Sequence, residues 1–310
     1  MPRSASRDPL DLLDRRLKRE GAPDTLRRLA RLMFATAQAE DIARLEPDDL
    51  LWLARAAHRL LERRRPGRAL VRIVDPDLPS VELSRVSVLQ SLADNMPFLV
   101  DSLLGYLAEQ GLEIRLLLHP VLHVARDAEG RLEALAAAPE AGDRLRAESL
   151  IHVHLPRLSA AEKERLRNDV ESIFAHVRAA VLDWPAMRQK LADVIDGYQA
   201  APPPLPVEEL TETIAFLQWL LADNFVFLGV REYDLGEGAS VAREPGLGIL
   251  RLAAGDGTDR AERAVEMADG VICRPAARAE PVLITKSAET SMVHRRVPMD
   301  LIIVKRFNAA

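Results

Sequence analysis

The chain has 310 residues, 48% of them hydrophobic and 29% charged, so it can bury real cores and is not a disordered chain. Its net charge of −5 gives no whole-chain attraction to nucleic acid or to an anionic membrane, and we expect neither as a partner. No apolar run approaches the ~20 residues of a membrane helix, the first residues carry no secretory signal, and a single cysteine, Cys273, excludes an internal disulfide. Together these features predict a cytoplasmic protein.

Residues 1–68 are predicted to form a helical segment. Apolar residues recur at helical spacing in three stretches, the second starting near Asp24 and the third at Pro47. The basic run over 62–68 is interpreted as the solvated end of the third helix, where cations suit the helix dipole. Contact of this run with phosphate is the alternative.

The hydrophobic period then changes, and residues 69–200 are predicted to form one mixed domain of helices and strands. Its predicted elements are strands over 69–74 and 86–92, a helix over 97–110, a strand over 112–124 interrupted at Pro120, a strand over 150–155, and a helix that begins with a capping box of Ser159 and Glu162 and ends at Trp184-Pro185. From Val86 the order is β-α-β-(β)-β-α, that of a ferredoxin-like sandwich that lacks or displaces its last strand. Residues 71–74 could supply a neighbouring strand, and the fold class is α+β.

The proline-rich stretch 201–206 is predicted to be a stiff linker to a second module, residues 207–310. This module is expected to be mostly β. Its predicted elements are a helix over 207–221, strands over 225–233, 248–252, 281–285 and 301–307, and a short charged helix over 259–268. No turn or cap closes the module before Ala310, so we expect it to be incomplete and the chain to come from a longer one.

The junction between the strand over 86–92 and the following helix is the first candidate site. Turn-forming residues followed by a proline place free backbone N–H groups and a helix start beside short polar side chains. Such a junction could hold a small anionic or zwitterionic ligand, and the candidate residues are Asp94, Asn95, Met96, Pro97 and Phe98. The alternative is that Asp94 or Asn95 only caps the helix, with no ligand involved.

Four histidines form the second candidate site. His119 and His123 lie on one face of a predicted strand, and His152 and His154 lie on one face of another. If these strands pair, four imidazoles could converge and bind zinc or copper. The alternative is that they line a half-exposed sheet face, since the pattern lacks the carboxylate or thiolate partners that usually accompany metal ligands.

The sequence carries none of the common catalytic or nucleotide-binding motifs. It has no G-x-G-x-x-G, no Walker A lysine motif and no G-x-S-x-G. No catalytic residue is therefore predicted, and no cofactor is expected to bind this chain.

Several motifs, in order along the chain from about residue 45, resemble the N-terminal region of the large bacterial NAD-specific glutamate dehydrogenases. They are Asp-Asn-Met-Pro-Phe-Leu-Val-Asp-Ser at 94–102, Leu-His-Pro-Val at 118–121, Glu-Ser-Leu-Ile-His at 148–152, Phe-Leu-Gly-Val-Arg-Glu-Tyr at 227–233, Leu-Gly-Ile-Leu at 247–250, Leu-Ile-Thr-Lys at 283–286, His-Arg at 294–295, Met-Asp at 299–300 and Val-Lys-Arg-Phe at 304–307.

This resemblance implies ACT-like βαββαβ modules, which often sense amino acids, and a catalytic domain with the NAD site far downstream. The parent reaction would convert L-glutamate, NAD and water to 2-oxoglutarate, ammonium and NADH. The chain itself would be inactive alone and would serve regulation and assembly. Its partners would be the rest of the parent polypeptide, sister subunits and an amino-acid effector. Ligand-binding ACT domains usually have glycine at the position of Phe98. The Phe98 side chain could fill the space that a ligand would occupy at this junction.

Overall fold

The structure is a computed structural model that describes residues 9–139, 145–235, 240–242, 246–252 and 280–307. Cys273 and the predicted helix over 259–268 lie outside these residues. The chain divides into two compact units, Met1–Ala175 and His176–Ala310. The dividing point lies within a helix, and the stretch 201–206 lies inside the second unit, so the domain boundaries drawn from the sequence stay a prediction.

Four helices open the first unit and match the predicted helical segment, with one short helix added. They are α1 Pro9–Arg19, α2 Asp24–Phe34, α3 Ala39–Ile42 and α4 Pro47–Leu61. Pro47 occupies the first turn of α4, where its missing N–H leaves no hydrogen bond unmade. The buried carboxylate of Asp49 accepts the N–H of Glu46 at 3.0 Å and so closes the start of the helix.

An antiparallel six-stranded sheet forms the centre of this unit. Its strands are β1 Leu70–Val74, β2 Val86–Asp94, β3 Leu116–Leu118, β4 Val121–Arg126, β5 Leu132–Ala136 and β6 Arg146–Pro156. The strand order is β1-β2-β6-β4-β5, and β3 also pairs with β6. Helix α5 Leu99–Glu109 follows β2, and α6 Ala160–Ala200 follows β6. From β2 onward the observed order is β-α-β-β-β-β-α, so the predicted order β-α-β-(β)-β-α omitted β5, and β1 pairs with β2 as a further strand of the sheet.

The face of the sheet that carries Val88 and Leu92 packs against the N-terminal helices. Both residues share one core cluster with Leu29 of α2 and Leu53 of α4, and all four are fully buried. Alternate residues of a strand point to opposite faces, so Gln90 and Asp94 lie on this same face. The N-terminal helices therefore cover polar as well as apolar side chains of β2.

Helix α6 continues to Ala200 and does not end at Trp184-Pro185, so that prediction is wrong. A proline in a helix interior removes one hydrogen bond and costs ~3 kcal/mol. Beyond the proline, however, Met187, Ile195 and Tyr198 are buried in the core of the second unit. Burial of side chains this large stabilises the later turns by more than the proline costs.

Short strands and helices make up the rest of the second unit. They are α7 Val207–Trp219, a π-helical turn Leu220–Asn224, β7 Gly229–Val230, β8 Tyr233–Leu235, β9 Ser240–Ala242, β10 Leu247–Gly248, α8 Ile249–Leu252, β11 Val282–Thr290 and β12 Pro298–Val304. The strands pair as β7 with β10, β8 with β9, and β11 with β12. The strand predicted over 248–252 is wrong beyond Gly248, whose φ of +63° turns the chain into α8.

Among the described helices we find none with the length and apolar character needed to cross a bilayer.

Candidate functional site at the strand-to-helix junction

The five junction residues connect the end of β2 to the start of α5, which begins two residues later than predicted, so neither Asp94 nor Asn95 is the N-cap residue. Phe98 is the N-cap residue of α5 and has φ 72° and ψ −3°, in the left-handed region. This conformation costs an L-residue roughly 1–2 kcal/mol and costs glycine nothing. The Phe98 carbonyl nevertheless accepts the Ser102 N–H at 3.0 Å and starts the helix. Phe98 thus adopts a backbone conformation suited to glycine, with its ring half-buried at the junction.

Asp94 belongs to a buried group of charges behind the junction. Its carboxylate pairs with the guanidinium of Arg64, which also donates to Glu148 at 2.8 and 3.0 Å. Arg126 binds the same Glu148 carboxylate through two hydrogen bonds of 2.7 and 2.8 Å. We call Arg64, Asp94, Arg126 and Glu148 the ionic cluster. The charges of its two cations and two carboxylates cancel. This balance offsets the cost of burying Arg64 and Glu148, each of which is 2% exposed.

The burial of Arg64 corrects the interpretation of the basic run over 62–68. Arg63, Arg65 and Arg68 are exposed as predicted, but Arg64 points inward. Burial by itself would lower the pKa of Arg64, but hydrogen bonds to Glu148 and Asp94 outweigh burial and raise it above its ordinary value. Arg64 is therefore a permanent cation that fastens the end of α4 to the end of β2.

Asn95 and His119 meet through Ser149, a residue not selected as a site residue from the sequence. The Ser149 hydroxyl donates to Asn95 Oδ1 at 2.7 Å, and His119 Nε2 lies 3.2 Å from the same hydroxyl oxygen. Because the hydroxyl proton is used on Asn95, His119 Nε2 must be the donor to Ser149. Burial lowers the pKa of His119, so the ring is neutral and its Nδ1 keeps a lone pair. We call Asn95, His119 and Ser149 the junction triad.

The four histidines do not converge on one face of the sheet, so they do not supply the geometry on which the metal-binding alternative depended. His152 lies opposite Leu118 in the sheet, which puts the adjacent His119 on the other face. His123 stands between two core residues of β4 that face the N-terminal helices, and so points away from them. In the part of the chain that the structure describes, no three metal-binding side chains come together.

His152 and His154 instead end a buried chain of hydrogen bonds. Arg72 Nε donates to Gln90 Oε1 at 2.9 Å, so the Gln90 amide group donates to His152 Nδ1 at 3.0 Å. His152 must then carry its proton on Nε2, which it donates to His154 Nε2 at 3.2 Å. We call Arg72, Gln90, His152 and His154 the histidine row.

The direction of hydrogen-bond donation along the histidine row, from Arg72 toward His154, argues against metal binding at the His154 end. The Nε2 atom of His152 is the protonated nitrogen, and a metal ligand needs a bare one. Burial lowers the pKa of His152 well below its ordinary value and that of His154 to about 4, so both rings are neutral near pH 7. The row is therefore a neutral hydrogen-bonded chain that ends in the core, with one guanidinium at its start.

Residues 29–170, which contain the junction, the triad, the ionic cluster and the histidine row, match the family described as glutamate dehydrogenase, ACT1 domain. This part of the chain is similar to that family. The ACT1 assignment fits the mixed helix and sheet architecture of the first unit.

Over most of its length the chain is also similar to NAD-specific glutamate dehydrogenases. It is 31% identical over 289 residues to that of Halomonas elongata and 29% identical over 288 residues to that of Pseudomonas aeruginosa. Each alignment covers 90% of this chain but only 18% or 17% of the relative. The chain therefore spans less than a fifth of the length of these curated relatives.

Proposed function

We propose that this chain is the N-terminal, non-catalytic part of an NAD-dependent glutamate dehydrogenase and serves its regulation and assembly. The parent reaction is the oxidative deamination of L-glutamate by NAD and water to 2-oxoglutarate, ammonium and NADH. The observation that carries the proposal is the alignment of 90% of the chain with a small part of relatives named for this activity. NAD is bound by the rest of the parent, since the chain has no dinucleotide fingerprint.

The hydrogen bonds of the junction triad support a non-catalytic role. Ser149 and His119 are close enough to suggest a nucleophile and its base, but the hydroxyl proton of Ser149 goes to Asn95. His119 donates to Ser149 and so cannot take its proton. The charged side chains behind the junction satisfy one another in the ionic cluster. These groups stabilise a scaffold. The cytoplasmic location and the partners expected from the sequence stay predictions.

The full-length parent enzyme tests the regulatory and assembly role. Deleting the segment that corresponds to residues 1–310 is expected to change the subunit assembly, measured by light scattering, or the response of the NAD-linked reaction to amino acids. Glutamate-dependent NADH formation should remain detectable, because the chemistry lies in the remaining chain. A deletion enzyme with the same assembly and the same amino-acid response as the parent would overturn the proposal.

A second candidate function is amino-acid sensing at the junction, and the junction triad is the observation that favours it. Asn95 is exposed, and with its Oδ1 taken by Ser149 its amide protons are available to a carboxylate. His119 Nδ1 offers a lone pair to an ammonium group. Donors for a carboxylate and an acceptor for an ammonium are the requirements of a free α-amino acid. Phe98 stands at the same junction and limits the space.

Calorimetry with a panel of amino acids tests this second candidate. If the triad binds the ligand, Asn95→Ala should weaken binding at least tenfold, and Asn168→Ala, at an exposed position on α6, should leave it unchanged. Phe98→Gly should increase the affinity, because it removes the ring and suits the left-handed backbone. Absence of any heat of binding at millimolar amino acid, in both the natural chain and Phe98→Gly, would contradict the candidate.

A further inference from the structure

A groove of about 440 Å³ runs along one face of α6 in the second unit. Its volume falls within the range of small-molecule sites, ~300–1,000 Å³. Residues four apart on a helix share a face, so a stripe of α6 side chains forms one wall, and the π-helical turn after α7 contributes to the other. The lining residues are Trp184, Pro185, Arg188, Gln189 and Ala192 of α6 and Leu221 of the turn. The groove therefore includes the Trp184-Pro185 pair at which the helix was expected to end.

Apolar walls and one cation among the lining residues give this groove its chemical character. The Trp184 ring is 40% exposed, although tryptophan is on average a highly buried residue. The Arg188 guanidinium lies over this ring, with Cζ 5.2 Å from the ring centroid, within the range of a cation–π contact. The contact places a positive charge beside exposed apolar surface. Such a pairing suits a molecule that has an apolar body and one negative charge.

The cation of the groove already holds a carboxylate. Arg188 Nη1 donates to Asp223 Oδ1 at 2.8 Å, and the Asp223 side chain is 75% exposed. An ion pair this exposed is weak, because water screens the attraction between its charges. A carboxylate from solution can therefore take the place of Asp223 on Arg188 and gain contact with the apolar walls as well.

We propose that the groove binds a small apolar carboxylate, which displaces Asp223 from Arg188. The carboxylate of the ligand accepts the guanidinium N–H groups, and because both partners are charged these hydrogen bonds are stronger than neutral ones. The apolar body of the ligand covers the exposed part of Trp184 and contacts Leu221. Asp223 acts as an internal competitor for the cation. This site lies in the second unit, and it depends neither on the proposed function nor on amino-acid sensing at the junction.

Isothermal titration calorimetry of the 310-residue chain with phenylacetate tests the proposal. This probe joins one carboxylate to one apolar ring. Two matched compounds separate these parts, because phenylacetamide has the ring without the charge and acetate has the charge without the ring. We expect phenylacetate to bind at millimolar concentration or below, and each matched compound to bind about tenfold more weakly. Absence of heat with phenylacetate, or equal affinity for phenylacetamide, overturns the inference.

Substitutions at the two ends of the ion pair should act in opposite directions. Arg188→Gln should weaken phenylacetate binding about tenfold, because it removes the cation. Asp223→Asn should strengthen binding, because it removes the competitor and asparagine tolerates the φ of 60° at this position. Arg165→Gln, at an exposed position earlier on α6, is the matched control and should bind normally. A purely structural ion pair gives no gain in Asp223→Asn, so equal or weaker binding in that variant overturns the inference.

NMR of the tryptophan indole N–H groups locates the ligand without any change to the ion pair. The Trp184 resonance, identified by its absence from the spectrum of Trp184→Phe, should shift as phenylacetate is added to the natural chain. The resonance of Trp52, in the first unit, should stay in place. Heat of binding with an unmoved Trp184 resonance would place the ligand elsewhere and overturn the inference. Such a failure leaves the deletion experiment on the parent enzyme unaffected.

Discussion

The ionic cluster and the histidine row lie on the same face of the same sheet, yet they solve the burial of polar groups in different ways. Asp94 and Gln90 are four residues apart on β2, and Glu148 and His152 are four residues apart on β6. The ionic cluster balances two cations with two carboxylates. The histidine row has one cation and no carboxylate, and it depends on uncharged imidazoles that hydrogen bond in a fixed direction. On this account the ionic cluster depends on its charges, and the histidine row depends on neutral imidazole rings.

Glu148→Gln should have the largest effect, because it removes the carboxylate shared by Arg64 and Arg126. Leaving a buried cation without its partner costs about 3–5 kcal/mol, and we expect a loss of this size in the free energy of urea unfolding. Glu133→Gln, at an exposed position on β5, is the control and should change it by less than ~0.5 kcal/mol. A loss below ~1 kcal/mol for Glu148→Gln would show that the cluster does not depend on its charges.

Lowering the pH should have the next largest effect on the free energy of unfolding, through the histidine row. The pKa of His154 is about 4 in the folded chain and 6.5 in the unfolded one, so the unfolded chain binds the proton first as pH falls. The contribution of neutral His154 to the free energy of unfolding is complete above pH ~6.5. It is lost as the pH falls from ~6.5 to ~4, a loss of about 3 kcal/mol. Unfolding measured across this range should show a smaller slope in His154→Gln. An unchanged slope in that variant, with His123→Gln as reference, would exclude His154 as the source.

Gln90→Met should cost about 1–3 kcal/mol, because it leaves Arg72 Nε and His152 Nδ1 without their buried partner. Gln90→Glu sharpens the comparison further. It places a carboxylate between Arg72 and His152 and so converts the row into an ionic arrangement. We expect Gln90→Glu to raise the pKa of His152, followed by NMR of the ring, and to weaken the acid sensitivity of unfolding. Equal acid sensitivity in Gln90→Glu and the natural chain would contradict this view.

The junction should show the smallest effect. Phe98→Ala and Phe98→Gly both remove the half-buried ring, but only glycine suits the φ of 72°. Phe98→Gly should therefore be more stable than Phe98→Ala by about 1 kcal/mol in thermal or urea unfolding. The order reverses if the backbone leaves the left-handed region in solution, since alanine is the more favourable residue in ordinary conformations.

The sequence predicted best those elements whose determinants are local. Ser159 and Glu162 form the expected capping box, with bonds of 2.8 and 3.3 Å, because both partners lie within one turn. The strand at residues 71–74 was expected as a neighbour of the sheet, and the structure shows that its partner is β2. The helix predicted from Pro97 begins at Leu99 instead, because the left-handed backbone of Phe98 places the N-cap there.

Long-range partners decided the features that the sequence could not predict. Arg64 differs from Arg63 and Arg65 only in facing Glu148, which lies 84 residues further along the chain. Ser149 lay just outside the strand predicted over 150–155, and its bonds to Asn95 and His119 depend on how three chain segments meet. Pro185 was predicted to end α6. The helix continues because its later turns are buried in the core of the second unit, which is a tertiary effect.

The most direct test of the central proposal is a glutamate dehydrogenase assay of the purified 310-residue chain beside its full-length parent. NADH formation from L-glutamate and NAD is followed at matched molar concentrations. We predict turnover by the parent and none by the chain, because the chain supplies regulation and assembly and not the nicotinamide site. Glutamate-dependent NADH formation by the chain itself, in a preparation free of contaminating enzyme, would contradict the proposal.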